Sequence, residues 1–389
     1  MRMHVDIQPI IDWLNDGARP AANDPSALLG AVCERMLACG LPLHRVAVFV
    51  RPLHPNVAAR ALYWRESDRR VETNDEGHSF IGTEAHLTSP INQVRRTGQS
   101  IRRRLSDTET PVDFPILEEL RSEGITDYLI VPLEFVDGEI HALSFATRRP
   151  EGFADAHIEA LLRIRPALTR LVEIVALTRK AGNILDAYLG RHSGSKVLQG
   201  HIRRGDTETL RAVIWFCDLR DSTSLAEAIG AQAFLATLND YFEAVLDPVT
   251  ERGGEVLSFI GDAALAIFPV VEDPADPARR AVDAAISAIA RMRALNERRE
   301  ASAAPPLGFG IGLHAGEFVY GNVGTRSRIT FTVIGPAANE AARIESMCKT
   351  LAASPLVSEQ VARHVPIAWR SLGRHTLRGV GQPLELFTL

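Results

Sequence analysis

Two aspartates stand where short apolar runs stop. Asp218 follows the run 212–216, and Asp262 follows Gly261 between the runs 256–260 and 263–268. Runs of this length and content read as buried strands, and a Gly-Asp pair between two of them reads as a tight hairpin turn. Two buried strands that each bring a carboxylate to one end of a sheet make a seat for a hard divalent cation, because Mg²⁺ is commonly held by one or two carboxylates together with substrate phosphates. Ser222, Thr223 and Ser224 come next and offer N-caps for a helix; Ser224 with Glu227 fits a capping box. The N–H groups at such a helix start suit a phosphate, which makes Ser222 and Thr223 candidate substrate contacts. Taken singly, an aspartate at a strand end is more often a cap or a turn residue. The pair gains weight from the elements that surround it.

Those elements carry a series of short motifs: Phe216-x-Asp218, Gly253-Gly-Glu, Phe259-Ile-Gly-Asp262, Gly310-Ile-Gly-Leu-His-Ala-Gly316, Thr332-Val-Ile-Gly335, Asn339-x-Ala-Ala-Arg343 and Leu377-Arg-Gly379. On these motifs, all present and in family order, the chain from about residue 209 to the C-terminus resembles the class III adenylate/guanylate cyclase catalytic domain. The resemblance implies that Asp218 and Asp262, helped by the backbone carbonyl of Leu219, hold two divalent ions per site, Mg²⁺ or Mn²⁺. One ion lowers the pKa of the ribose 3′-hydroxyl and the other neutralises the triphosphate. The 3′-oxygen then attacks the α-phosphorus in line and pyrophosphate leaves. Asn339 orients the ribose and Arg343 stabilises charge on the α-phosphate. Four residues apart on one helix, the two share a face. A merely structural Arg343 would instead make an i−4 contact or pair with Glu340 or Glu345. Arg378 stands where the family usually has a phosphate-binding Lys. In the family the carboxylates and the Asn/Arg helix that complete one site come from different subunits, so a chain with one such domain implies a head-to-tail homodimer with two equivalent sites.

Ser258, four residues before Asp262, departs from the family pattern. Adenylate cyclases usually have Lys there and guanylate cyclases Glu; the partner in base recognition is Thr332, which many bacterial adenylate cyclases share. The reading is an adenylate cyclase that converts ATP to 3′,5′-cyclic AMP and pyrophosphate under control of its N-terminal domain. A guanylate cyclase comes second. A non-catalytic nucleotide-binding partner comes third, favoured by Ser258 and opposed by Asp218, Asp262, Asn339 and Arg343.

The 389 residues exceed one typical domain. A net charge of −5 implies no generic nucleic-acid surface. The scattered cysteines Cys33, Cys39, Cys217 and Cys348 form no CxxC pair and read as buried thiols of a reducing compartment. No stretch approaches the roughly 18 apolar residues of a membrane span, and residues 1–6 hold no secretory apolar region. A cytoplasmic location is expected.

In the N-terminal part, periodicity predicts a helix over 25–41, strands over 45–51 and 61–65, a polar loop over 73–86, and a short helix over 89–97. Arg102, Arg103 and Arg104 read as a solvated edge, and strands are expected over 128–133 and 140–146. The segment 131–153 makes this part resemble a GAF-type α/β sensor domain, a class that commonly binds a small molecule or simply dimerises. His78, His86 and His141 read as surface or packing residues.

Residues 155–189 should be helical, with Pro166 kinking or restarting the helix and 190–194 breaking it; 196–206 reads as a polar connector. The organisation expected is a GAF-like domain over 1–154, a helical linker and connector over 155–208, and a catalytic domain over 209–389. That last domain reads as α+β, a mainly antiparallel sheet with helices on one face, and the resemblance adds a ferredoxin-like core. One apolar helical stripe should run through Leu225, Ile229, Leu235, Leu238, Phe242 and Val245. Another should run through Val282, Ile286, Ile289, Met292 and Leu295. A glycine- and arginine-containing loop is expected over 321–328, and closing strands over 374–378 and 384–388.

Overall fold

The computed structural model describes residues 5–17, 24–107, 111–326 and 328–389. The first four residues, part of the segment expected to lack a secretory signal, lie outside it, as does Ser327 of the expected loop. The chain divides into two compact units, Met1–Ala187 and Tyr188–Leu389. Among the described residues no helix is long and apolar enough to cross a membrane.

The first unit runs α1 (Gln8–Asp12), α2 (Pro25–Ala38), β1 (Arg45–Val50), β2 (Ala59–Arg65), β3 (Val71–Glu76), α3 (Glu84–Leu87), α4 (Pro90–Thr97), β4 (Ile101–Arg104), α5 (Ile116–Ser122), β5 (Asp127–Glu134), β6 (Ile140–Thr147) and α6 (Asp155–Leu189). The strands form an antiparallel sheet in the order β3-β2-β1-β6-β5-β4. Strict alternation makes it two-sided. Leu129, Val131, Leu143 and Phe145 join the core with α2 and α6, while Tyr128, Ile130, Ala142 and Ala146 join a second core with α4 and α5.

Several expectations change here. The polar stretch after residue 70 is not all loop: Val71–Glu76 is an edge strand held by backbone pairing with β2 and by the register pair Arg60–Asp75, whose two bonds are both 2.6 Å. Arg102 is not a solvated cation. Its guanidinium donates to the fully buried Asp127 at 2.7 Å and to the Phe153 carbonyl at 2.6 Å, locking the turn that enters α6. Pro166 does not restart the helix; α6 is continuous. A proline removes one intrahelical bond, and Leu161, Ile164, Leu168 and Leu171, packed on the sheet on both sides of it, hold the turns in line.

The second unit runs α7 (Arg191–Leu198), β7 (Thr207–Leu219), α8 (Ser222–Ile229), α9 (Ala231–Glu251), β8 (Glu255–Ile260), β9 (Ala263–Pro269), α10 (Ala275–Ala301), β10 (Phe309–Gly324), β11 (Ile329–Ile334), α11 (Pro336–Leu351), β12 (Leu356–Ser358), α12 (Glu359–Ala362), β13 (Arg370–His375) and β14 (Leu384–Thr388). The sheet order is β13-β14-β12-β10-β7-β9-β8, with β11 paired to β10. All pairs are antiparallel except β10 with β12. Its centre follows the β-α-β-β-α-β order of a ferredoxin-like core.

The helices do not keep to one face. Val213, Trp215, Cys217 and Leu219 of β7 pack with α9 and α10; Ala212, Ile214 and Phe216 turn to the opposite side, where Ala337 and Ala341 of α11 lie. The glycines of Gly310-Ile-Gly-Leu-His-Ala-Gly316 explain how α11 approaches so closely. A Cβ at Gly312 would stand 2.6 Å from the Ala341 carbonyl oxygen and from the Glu345 nitrogen, and one at Gly316 2.5 Å from the Ala337 Cβ.

Other boundaries move as well. The expected stripe from Leu225 to Val245 is split at Gly230, whose φ of 83° ends α8 and starts α9; Leu235 and Ile286 are exposed, while Val282, Met292 and Leu295 are buried as expected and share the buried face of α10 with alanines 281, 284, 285 and 288. The helical break falls at Gly190 alone, φ 81°, and α7 takes up the start of the expected connector. The expected loop from residue 321 begins only after Gly324, because Gly321 to Gly324 still pair with β11.

Candidate functional site

Asp218 lies inside β7, opposite Ala263 on one side and Gly310 on the other. Asp262 immediately precedes Ala263 in the hairpin turn, where Gly261 takes φ 66°. The pairing of β7 with β9 therefore brings the two carboxylates together at one end of the sheet. Burial holds the Asp218 carboxyl above the usual range, and the negative charge of Asp262 raises it further; Arg220 and a hydrogen bond from the Leu219 backbone pull it back. A half-buried carboxyl held up in this way beside a second acid fits a site for a divalent ion. Leu219 closes β7 beside them and is buried. Among the described residues no cluster of three or more His, Cys, Asp or Glu side chains forms, so substrate oxygens and backbone carbonyls would have to complete any coordination shell.

Arg220, next in the chain, pairs with Glu345 of α11. Its Nη2 stands 2.7 Å from Glu345 Oε1 and donates to the Glu345 carbonyl oxygen at 3.2 Å. The first contact is an ion pair without hydrogen-bond alignment, so Oε1 has charge compensation but no donor. Burial pushes the Glu345 carboxyl up to about 7, against Arg220 and with help from Asp218 and Asp262. Sequence reasoning missed this pair. The available signal was that Glu345 falls on the apolar face of α11 with Ala341, Ile344 and Cys348.

The helix after Asp218 already includes Ser222, so none of Ser222, Thr223 and Ser224 is its N-cap and the expected capping box does not form. Asp221 is the N-cap, in the left-handed region at φ 53°, with no side-chain cap bond, and Ser224 lies one turn inside. The first-turn N–H groups near Ser222 and Thr223 are thus free of a side-chain acceptor from the cap.

Asn339 and Arg343 are exposed on α11. Neither partner considered for Arg343 is available: Glu340 meets His314 Nε2 at 2.7 Å, and Glu345 is taken by Arg220. Ser258 is half-buried in β8 beside the irregularity at Val256/Ser258, and Thr332 is half-buried in β11 opposite Gly321. Arg378 is exposed in the turn after β13, not within a closing strand, because β13 ends at His375.

Residues 207–387 match the family described as the adenylate and guanylate cyclase catalytic domain. An adenylate cyclase of Anabaena cylindrica is 36% identical over 169 residues, covering 42% of this chain and 33% of that protein. An uncharacterized protein of Mycobacterium tuberculosis (strain H37Rv) is 38% identical over 227 residues, covering 55% and 39%. The chain thus spans a third to two fifths of the length of these curated relatives. Among solved structures, the adenylyl cyclase CyaB from P. aeruginosa is 26% identical with a TM-score of 0.43, covering 47% of this chain and 94% of that one. The guanylyl cyclase Cya2 is 28% identical with a TM-score of 0.41, covering 48% and 93%.

Proposed function

We propose, from the match of residues 207–387 to the adenylate and guanylate cyclase catalytic domain, that the chain converts ATP to 3′,5′-cyclic AMP and pyrophosphate in a homodimer. The observation that carries the proposal is the Asp218–Asp262 pair, two neighbouring carboxylates beside Arg220, which is itself paired with Glu345. Asp218, Asp262 and the Leu219 carbonyl would hold Mg²⁺ or Mn²⁺, which when bound acidifies the ribose 3′-hydroxyl and neutralises the triphosphate. The chain's own part is positioning. Ser222 and Thr223, at the uncapped start of α8, receive phosphate; Asn339 orients the ribose; Arg343 stabilises charge at the α-phosphate and Arg378 binds the phosphate tail.

Exposure of Asn339 and Arg343, with no side-chain partner among the described residues, supports a site finished by a second copy. So does the exposed apolar surface beside the aspartates and on the β10–β11 hairpin, where Phe259 is 61% and Ile260 54% exposed, and Val323 and Ile334 are also open. In this reading residues 1–154 are a GAF-like sensor, 155–208 the helical connection and 209–389 the catalytic domain, in the cytoplasm. The direct test incubates the purified chain with ATP or GTP and Mg²⁺ or Mn²⁺ and identifies the product by mass. Cyclic AMP formation that disappears in folded Asp218→Ala and Asp262→Ala proteins is expected. Full activity in either variant would remove the two-metal reading, and cyclic GMP as main product would replace the substrate.

A further inference from the structure

We infer that the ion pair of Arg220 with Glu345 is a positioning strut that fixes the end of β7 bearing Asp218 against the helix bearing Asn339 and Arg343, and thereby couples the two active sites of the dimer. The inference rests on the composite-site reading above. Within one chain the strut joins two half-sites. If each active site takes its aspartates from one copy and its Asn/Arg helix from the other, those half-sites belong to different active sites.

The geometry is specific. The Arg220 backbone N–H donates to the Gly308 carbonyl oxygen at 2.8 Å, which fixes the chain two residues beyond Asp218. The guanidinium then holds both the side chain and the backbone of Glu345. Glu345 is 2% exposed. Two glycines make room: a side chain at Gly310 would collide with both charged groups, and a Cβ at Gly308 would lie 3.1 Å from Arg220 Cβ. Glu345 and Arg343 are two residues apart on α11, about 200° around the axis at 3.6 residues per turn. The helix therefore shows Glu345 to its own sheet and Arg343 outward. A displacement of the inner contact moves the outer face with it, because α11 is a single 16-residue helix seated on glycines. Arg220 also answers two sets of charge, paired with Glu345 and still drawing the Asp218 carboxyl down.

The test uses mixed dimers of the full chain. Arg343→Ala chains supply intact aspartates, and Asp262→Ala chains supply an intact Asn/Arg helix. Glu345→Gln, similar in volume, is placed in one partner or the other. In both arms kcat is expected to fall about tenfold or more, with KM for ATP changed less than about threefold, the signature of lost positioning rather than lost binding. With Gln in the aspartate-supplying chain, half-saturating Mn²⁺ should rise as well; with Gln in the other chain it should not. Arg220→Lys, which keeps the charge but loses the fork geometry, should lower kcat in both arms too, and it serves if Glu345→Gln does not fold. A loss confined to the aspartate-supplying chain would reduce the pair to a local electrostatic role and overturn the coupling. Unchanged kcat in both arms would overturn the strut altogether. An inactive parent mixture, with heterodimer shown to be present, would refute the composite site and the coupling with it. Glu345→Gln in the ordinary homodimer would then still decide the positioning role, through its kcat.

Discussion

His314, in the middle of β10, meets Glu340 of α11 at 2.7 Å through Nε2, while its Nδ1 lies 3.1 Å from the Ser358 hydroxyl. Burial pushes the imidazole down to about 4, so the ring is neutral near pH 7 and bridges the two elements as a hydrogen-bonding group. This contact and the Arg220–Glu345 pair absorb both acids that could have held Arg343. Arg343 is left facing solvent on the same side of the helix as Asn339.

The first prediction follows from that exposure. Asp262→Ala and Arg343→Ala chains, each inactive alone, should regain activity when mixed and allowed to exchange. Of the two composite sites in the heterodimer one keeps all its native groups, so recovery should approach about half the wild-type rate per heterodimer if the sites act independently. Activity is measured against the heterodimer fraction. No recovery in mixtures that contain heterodimer would place each site within one chain.

The second prediction concerns the seat of α11. Gly312→Ala adds a methyl group that would stand 2.6 Å from the Ala341 carbonyl oxygen and the Glu345 nitrogen, both backbone atoms. Overpacking of this kind costs about 1–3 kcal/mol, and here relief requires the helix to lift from the strand. Denaturant unfolding should show the loss, and kcat should fall with it. A variant of wild-type stability would mean that α11 has slack against β10.

How much of this was legible in the sequence depended on whether the decisive partner was near in the chain. The β8–β9 hairpin, the antiparallel β5–β6 pair and the placement of Asp218 and Asp262 followed from local apolar runs and one Gly-Asp turn. What escaped depended on distant segments. The strand Val71–Glu76 is polar, and its pairing is set by β2 rather than by its own pattern. Pro166 reads as a kink or restart because the sheet beneath α6 is invisible from the helix alone. The mixed exposure of the α9 and α10 positions reflects helices that bury alanine and leave Leu235 and Ile286 outside. Arg220 and Glu345 were overlooked because 125 residues separate them and only the β7–β10–α11 stack brings them together.

The third prediction concerns pH in the N-terminal unit. His141 is 2% exposed, lies against Phe135, and accepts a hydrogen bond from the Arg51 backbone N–H through Nδ1. Burial first, then the positive charges of Arg95, Arg51 and Lys180 hold it down to about 4, with Asp137 opposing. The unfolded chain titrates near the ordinary 6.5, so between these values it binds the proton and the folded state does not. Stability is therefore full above about 6.5 and falls as pH drops toward 4, by an amount on the order of 2–3 kcal/mol. His44, His86 and His157 are lowered too and add slope of the same sign. Urea unfolding of the full chain between pH 7 and 5 should show a smaller slope for His141→Gln than for the wild type. Equal slopes would mean that His141 is protonated in the folded state.

The last prediction concerns the base. Ser258 and Thr332 are both half-buried, on strands at opposite sides of the sheet centre, and both carry short hydroxyls that donate or accept. Neither offers a fixed charge to a purine edge. Sites that would leave a dedicated hydrogen-bonding group unpaired reject the wrong substrate sharply, while sites without one discriminate weakly. The ratio of kcat/KM for ATP over GTP should therefore favour ATP, as Thr332 suggests, but only modestly. Ser258→Lys should raise that ratio if the longer side chain reaches the ring from the irregularity in β8. Measuring both ratios separates the cases. A wild-type ratio favouring GTP would overturn ATP as substrate. A wild-type preference for ATP on the order of 10⁴-fold would show that a group other than Ser258 and Thr332 reads the adenine.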